Sequence, residues 1–493
     1  MKSPSISIRK ALSLTFTRSG ATFVFNIATV TIVSRLLTPA EVGVFSVTAA
    51  LVALAQMLRA FGVGELIIQE KNLTREVVRT AFTVSLIIAG LLALALFGFS
   101  DLIGRFYGDP GAAQVARVMS LVFVLMPFGA IPMAYMRREM QFAVVVRVQI
   151  IDTMVRSTCT IFLAWLGFSY MSMAWAAVAA MAAVVLGCIV WGGEYRVGGG
   201  LGLSEWKRVV HFGTSRTVAD LVASVGARSA DIVVGRMLGM AAAGFYSRGN
   251  GIVRTFRANV MGPIASVALP AYAKDHREAN AAPLLYRKSL AYITGINWPF
   301  FAFAALMAFP LIRIAFGSQW DASVPIMRWL CGSAIVGTLI YQCNDMLTAI
   351  GRYREVTHVE VQYQIIRVIL AVLAAFHSLE AVAASQIVVY VIAVILYYRK
   401  LGRYEALRPR ALVTELLPSL KLAIVTSTVP AAVLVFWPGF STNQYVPAFF
   451  VAAGGSAIVW VAGVFLLRHP LSSEIKRVWS TMRERIRSVP KAS

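Results

Sequence analysis

Twelve basic residues lie within long apolar stretches of this 493-residue chain. A lysine or arginine at the centre of a membrane helix costs about 2.5–3.5 kcal/mol on insertion scales, so each requires a compensating interaction. Five arginines have no acidic residue within one helical turn: Arg18, Arg59, Arg248, Arg254 and Arg257. A guanidinium binds phosphate or carboxylate oxygens in bidentate fashion. The five arginines therefore predict a water-filled cationic cavity that binds an anion such as a diphosphate.

The elements that carry these arginines follow from the composition, which is 58% hydrophobic and 14% charged. A soluble domain is roughly half apolar and one quarter charged. About fourteen stretches are long enough to cross a bilayer as helix, which takes about 20 residues. The sequence predicts an all-α, polytopic membrane protein with spans at 11–37, 41–63, 77–100, 112–136, 142–166, 171–192, 207–235, 240–268, 288–312, 324–350, 356–376, 381–398, 414–437 and 446–467.

Lysine and arginine are concentrated in the termini and the even-numbered loops. By the positive-inside rule, both termini are predicted to be cytoplasmic. This topology accounts for most of the net charge of +23. We expect no nucleic-acid partner. The chain shows no basic nucleic-acid-binding pattern with aromatic residues between the basic ones, and it has no zinc-ligand spacing.

An internal repeat organises the spans. VTIVSRLLTPAEVGVFS at 30–46 resembles DIVVGRMLGMAAAGFYS at 231–247 at a shift of 201, and Gln149-Ile150-Ile151 aligns with Gln364-Ile365-Ile366 at a shift of 215. Each copy contains six spans, an even number, which predicts two lobes related by a pseudo-two-fold axis along the membrane normal. The predicted divisions are an N-terminal lobe at 1–195, a cytoplasmic loop at 196–206, a C-terminal lobe at 207–400, two extra helices at 401–470 and a basic amphipathic cytoplasmic tail at 471–493.

Residues 34–70, SRLLTPAEVGVFSVTAALVALAQMLRAFGVGELIIQE, resemble the N-terminal signature of the polysaccharide transporter (Wzx-type, WzxC-like) flippases of the MOP superfamily. The match is best in the R-L-L-T-P-x-x-x-G turn, and ALPAYAK at 268–274 adds to it. The resemblance implies alternating-access export of undecaprenyl-diphosphate-linked oligosaccharide repeat units across the bacterial inner membrane, for exopolysaccharide, capsule or O-antigen synthesis. It also implies a central cationic cavity for the diphosphate, with Arg59 as the best-matched position. Membrane lipids and a polysaccharide polymerase with its chain-length machinery would be further partners.

Other functions stay open at this stage. A lipid II flippase is the first alternative, and a cation-coupled multidrug exporter is the second, although an exporter of organic cations would favour acidic residues in the cavity. Coupling to a proton or sodium ion could use Asp345, Asp231 or Glu360. The membrane potential alone is a rival driving force, worth about 2.3 kcal/mol per charge per 100 mV.

Catalysis is not expected. The five histidines are scattered, the four cysteines lie within predicted spans, and no outer loop is long enough to carry an enzymatic site. The sequence therefore predicts a protein that is not an enzyme and that binds no cofactor or metal.

Overall fold

The computed structural model describes residues 22, 24–60, 63–192, 201–279, 282–403, 407, 409–437 and 444–487. All regular secondary structure in these ranges is helical. Ten of the described helices are long and apolar enough to cross a membrane, which confirms the prediction of an all-α polytopic membrane protein.

The first half of the described chain contains eight helices. They are α1 (Val24–Leu36), α2 (Pro39–Ala60), α3 (Val63–Gln69), α4 (Arg75–Gly98), α5 (Ser100–Tyr107), α6 (Pro110–Arg138), α7 (Phe142–Trp165) and α8 (Met171–Trp191). The six predicted spans of this half correspond to α1, α2, α4, α6, α7 and α8. The short helices α3 and α5 were not predicted.

The second half begins with one long helix and a nearly continuous helical run. These are α9 (Trp206–Met237), α10 (Met240–Phe256), a π-helix (Arg257–Met261) and α11 (Gly262–Ala279). The next elements are α12 (Ala282–Leu306), α13 (Ala308–Phe316), a 3-10 turn (Ser318–Trp320), α14 (Ser323–Gly337), a second 3-10 turn (Thr338–Ile340) and α15 (Cys343–Ala349). The chain ends with α16 (Tyr353–Ala375), α17 (Leu379–Leu401), α18 (Pro409–Phe436), α19 (Tyr445–Leu466) and α20 (Leu471–Arg487).

The two halves have the same order of elements. A long helix, a short helix and a second long helix form α4–α5–α6, and α12–α13–α14 repeats that order; α7 and α8 then correspond to α16 and α17. The chain folds into two compact units, one made mainly of residues 1–247 and the other mainly of 248–493. The lobe boundaries at 195 and 207 and the pseudo-two-fold axis remain predictions.

The sequence LTPAE at the α1–α2 turn caps the start of α2. The Oγ1 of Thr38 accepts a hydrogen bond from the backbone N–H of Glu41 at 3.3 Å, and Glu41 Oε2 accepts one from the backbone N–H of Thr38 at 2.7 Å. This reciprocal pattern is a capping box, with Pro39 in the first helical position. The α9–α10 turn has no such box; Gly239 adopts φ 87° there instead, a conformation that favours glycine.

Within the first unit, the starts of α2 and α10 make a reciprocal contact. A Cβ on Gly43 would lie 2.6 Å from the carbonyl carbon of Met240, and a Cβ on Gly244 would lie 2.8 Å from that of Pro39. Met240 and Gly244 are the residues that align with Pro39 and Gly43 at the shift of 201. The aligned serines Ser46 and Ser247 hydrogen-bond to each other at 3.0 Å. The repeat is therefore also a local structural symmetry.

Candidate functional site

Four of the five predicted arginines lie within the described part of the chain; Arg18 lies outside it. Arg59 is in the last turn of α2, in the first compact unit. Its buried Nε has no hydrogen-bond partner among the described residues. The second unit contains the other three, Arg248, Arg254 and Arg257. Whether Arg59 and these three line one cavity therefore stays a prediction.

Arg257 is the first residue of the π-helix, which interrupts the α10–α11 run. Pro263 follows closely and has no backbone N–H to donate, so regular hydrogen bonding cannot continue through this segment. Arg257 Nη1 donates a hydrogen bond to the hydroxyl oxygen of Tyr390 at 3.2 Å, and its guanidinium lies 5.8 Å from the centroid of the Tyr341 ring. No described carboxylate forms an ion pair with Arg257. Within the described ranges, the guanidinium of Arg257 contacts a tyrosine hydroxyl and an aromatic ring.

Arg367, to which the sequence assigned no role, completes this arginine site. It belongs to α16, is 6% exposed, and its guanidinium lies 5.0 Å from the centroid of Tyr390 and 5.4 Å from that of Tyr363. Arg257 on the π-helix and Arg367 on α16 therefore meet at Tyr390, which belongs to α17. Two guanidiniums around one phenol make this part of the second unit strongly electropositive, which favours an anionic ligand.

A small cavity borders the arginine site. Arg257, Asn297, Thr338 and Tyr341 are among the residues that line it, and its volume is about 10 Å³. That is close to the space one water molecule needs, roughly 10–15 Å³. Asn297 Oδ1 is buried and accepts no hydrogen bond from the described residues. A diphosphate could enter on this side only if the surrounding helices moved apart.

Glu360 lies two helical turns before Arg367 on α16, with Gln364 between them. Its Oε1 accepts hydrogen bonds from Tyr363 at 2.8 Å and from Gln364 at 2.9 Å, and its Oε2 accepts one from Tyr397 at 2.9 Å. Gln364 Oε1 in turn accepts one from Arg367 at 3.2 Å. Polar contacts thus run without a break from Glu360 to Arg367.

The other two candidate coupling residues have different surroundings. Asp345 is half-buried in the first turn of α15, and no described basic residue pairs with it. Asp231 is in α9, three residues after Arg228. Among the described hydrogen bonds, none joins Asp345 to the arginine site.

Arg248 and Arg254 occupy α10, before Arg257. The guanidinium of Arg248 lies 5.3 Å from the centroid of the buried Trp320 ring, whereas Arg254 is exposed. The predicted set is thus spread over different environments, and Arg257 is the member with the most defined site. Among the described residues, no cluster of three histidine, cysteine or acidic side chains could hold a metal ion.

The repeated hairpins and the long helices define a polytopic, all-helical membrane fold. A family model described as "Polysaccharide biosynthesis protein" matches residues 32–325. Because this match covers more than half of the chain, the protein belongs to the polysaccharide biosynthesis protein family.

Known proteins with similar sequence or fold agree with this assignment. The chain is 23% identical over 325 residues to the lipopolysaccharide biosynthesis protein WzxC of Escherichia coli strain K12, an alignment covering 65% of this chain and 66% of the relative. It is 26% identical over 322 residues to the succinoglycan biosynthesis transport protein ExoT of Rhizobium meliloti strain 1021, covering 63% and 62%. The chain thus spans just under two thirds of each of these relatives.

Among solved structures, the lipid II flippase MurJ in an inward closed conformation has a TM-score of 0.75 to this chain. The superposition covers 94% of this chain and 99% of that one, at 11% identity. At this identity the likeness concerns the fold alone.

Proposed function

We propose that the protein is a flippase that moves undecaprenyl-diphosphate-linked oligosaccharide repeat units across the bacterial inner membrane for surface polysaccharide synthesis. The observation that carries the proposal is the arginine site, where Arg257 and Arg367 meet at Tyr390. Two guanidiniums inside a membrane protein suit a diphosphate better than an organic cation. The names of WzxC and ExoT, which concern lipopolysaccharide and succinoglycan biosynthesis, support the choice of pathway.

The orientation, the lobes and the partners belong to the same proposal. Both termini face the cytoplasm, and the two six-helix lobes alternate access around the substrate. Arg18, Arg59, Arg248 and Arg254 are further candidates for binding its anionic headgroup. The substrate lipid and the surrounding membrane lipids are the direct partners. A polymerase with its chain-length machinery receives the product on the far side.

The driving force is either the membrane potential or an ion. Export of an anionic headgroup from a negative interior is favoured by about 2.3 kcal/mol per charge per 100 mV. Of the three acidic candidates, we propose Glu360 for ion coupling, because hydrogen bonds through Gln364 connect its carboxylate to Arg367. A change in its charge would act directly on the arginine site.

The test is transport of a fluorescent undecaprenyl-diphosphate oligosaccharide in proteoliposomes. We expect the wild type to flip this lipid and Arg257→Gln to lose at least about 90% of the rate, since a charged hydrogen bond is worth roughly 1.5–3 kcal/mol. Arg137→Gln, an exposed residue in the last turn of α6, removes the same charge elsewhere and serves as the matched control. Equal rates for both variants would refute the assigned site.

Lipid II is the second candidate substrate, favoured by the structural similarity to MurJ over nearly the whole chain. The same assay with lipid II in place of the oligosaccharide lipid separates the two. Faster flipping of lipid II by the wild type would replace the proposed substrate while keeping a diphosphate at Arg257. Transport of an organic cation and of neither lipid would instead indicate a multidrug exporter.

A further inference from the structure

The first compact unit contains a polar cavity of about 400 Å³ that the proposed function has not used. Such a volume is within the roughly 300–1,000 Å³ of small-molecule pockets. All its lining residues are polar and come from α7 and from the chain at the start of α1: Thr22, Asn26, Gln149, Asp152, Thr153 and Arg156. Polar groups on membrane helices are costly and face the protein interior or a water-filled cavity, so such a lining requires an explanation.

The charges of this cavity neutralise each other. Arg156 Nη2 donates a hydrogen bond to Asp152 Oδ1 at 2.8 Å, one turn away on α7. The remaining lining groups are two amides and two hydroxyls. A diphosphate gains little at such a neutral site, in contrast to the arginine site in the second unit. The lining instead offers both donors and acceptors, which is what a neutral ligand with many hydroxyl groups needs.

One acceptor in the cavity is unused. Gln149 Oε1 is buried and accepts no hydrogen bond from the described residues, a state that costs roughly 1–3 kcal/mol. The repeat supplies an internal comparison, because Gln149 aligns with Gln364. The amide of Gln364 is satisfied on both sides, donating to Glu360 at 2.9 Å and accepting from Arg367 at 3.2 Å. At the equivalent position, Gln149 keeps an unused acceptor oxygen to which a ligand hydroxyl could donate a hydrogen bond.

The second difference between the repeats is the charge one turn further along. Asp152 aligns with Arg367 at the shift of 215. The equivalent helices α7 and α16 therefore carry a neutral ion pair in one copy and an arginine beside tyrosines in the other. The two copies of this helix therefore differ in the charge that they present.

We propose that the polar cavity lined by Gln149 and Asn26 binds hydroxyl groups of the saccharide part of the transported lipid, which rests on the proposed function. Asn26 and Gln149 bind the hydroxyls through their amides, and Thr153 adds a hydroxyl. The Asp152–Arg156 pair keeps the cavity neutral and can bind adjacent hydroxyls with both partners. The cavity thus recognises the sugar, while the arginine site binds the diphosphate.

The test uses two fluorescent probes in detergent: undecaprenyl diphosphate bearing a neutral trisaccharide, and undecaprenyl diphosphate without sugar. The variants are Gln149→Met from α7 and Asn26→Leu from α1, two independent changes in case one impairs folding. The control is Gln386→Met, which alters a buried glutamine of α17 outside the cavity. Thermal unfolding of each variant identifies any that is misfolded.

We expect each cavity variant to raise the Kd of the trisaccharide probe about five- to tenfold, the equivalent of one hydrogen bond. The Kd of the sugar-free probe should change less than about twofold by the same reasoning. Equal weakening of both probes, or no change for either, would overturn the saccharide site while leaving the flippase proposal intact. A wild-type protein that binds neither probe would overturn the proposed function and this inference with it.

Discussion

Alanine at Gly43 or Gly244 should separate the starts of α2 and α10. At Gly43 the new Cβ would lie 2.6 Å from the Met240 carbonyl carbon, whereas ordinary contact begins at 3.4 Å. The carbonyl carbon alone requires a movement of 3.4 − 2.6 = 0.8 Å, and the Met240 carbonyl oxygen lies closer still, so the helices must separate by more than this. The obstacle is backbone and not a flexible side chain, so the helix itself must move. Overpacking of this kind costs about 1–3 kcal/mol.

The reciprocal geometry predicts that the two substitutions are not additive. At Gly244 the Pro39 carbonyl carbon requires at least 3.4 − 2.8 = 0.6 Å, and the Pro39 carbonyl oxygen lies closer still, so the required movement is again larger and in the same direction, away from the opposing helix. One separation relieves both overlaps, so the double variant should be little less stable than Gly43→Ala alone. The interaction free energy of the double-mutant cycle should then be about 1–2 kcal/mol in favour of the pair. The Ser46–Ser247 hydrogen bond, 3.0 Å long, should break in all three variants.

Thermal unfolding in detergent, followed by tryptophan fluorescence, provides the measurement. Gly251→Ala is the matched control, because a Cβ at this position of α10 meets no atom within 4 Å. It should be neutral or stabilising, since alanine is favoured over glycine in a helix by about 1 kcal/mol. If the two single effects simply add, or if only one glycine is sensitive, the reciprocal contact is not a single shared interface.

The remaining predictions concern the second unit. Glu360→Gln removes the charge that a gradient would change, so it should abolish any acceleration of flipping by an imposed pH or sodium gradient; a retained gradient effect would exclude Glu360 as the coupling group. Burial lowers the pKa of His469, just beyond α19, from 6.5 to about 4, so the unfolded chain binds more protons than the native one between these values. The contribution of this residue to stability is fully present above pH 6.5 and is lost as the pH decreases through that window. His469→Gln should therefore flatten the pH dependence of the unfolding temperature, and an unchanged slope would contradict the assignment. Gly295→Ala should lower the unfolding temperature, because its Cβ would lie 2.5 Å from His469 Cε1.

Periodicity and composition predicted the helices because a membrane span is a local property of about 20 residues. Every predicted span overlaps a described helix or helical run. The short helices α3 and α5 were missed, and α13 was not separated from the span 288–312, since segments of seven to nine residues are below the length that a membrane-span search detects. The ion pair of Asp152 with Arg156 is local in the same sense, because the two residues are four apart on one helix.

The arginine site was only half predictable. Arg257 stood out because it lacks an acidic neighbour in sequence, but its partner Tyr390 is 133 residues away and on α17. No local pattern distinguishes that tyrosine from others in apolar helices. Arg367 carried one usable signal: in the repeat alignment it is opposite Asp152, so the two copies of the same helix position differ in charge.

Two of the helical segments that fail as simple membrane spans carry residues of the candidate sites, although Arg367 and Tyr390 lie on the apolar helices α16 and α17. Three of the fourteen predicted spans are long helical segments that are not among the ten helices apolar enough to cross a membrane. These three are α7, α9 and the α10–α11 run. α7 carries the polar cavity, and the α10–α11 run carries Arg248, Arg254 and Arg257. Charged residues lower the hydropathy of a span and cost insertion free energy, so they persist where water, a partner or a ligand compensates. In a duplicated protein this gives a usable rule: ligand sites are expected on equivalent helices whose polar residues differ between the copies, as they do on α7 and α16.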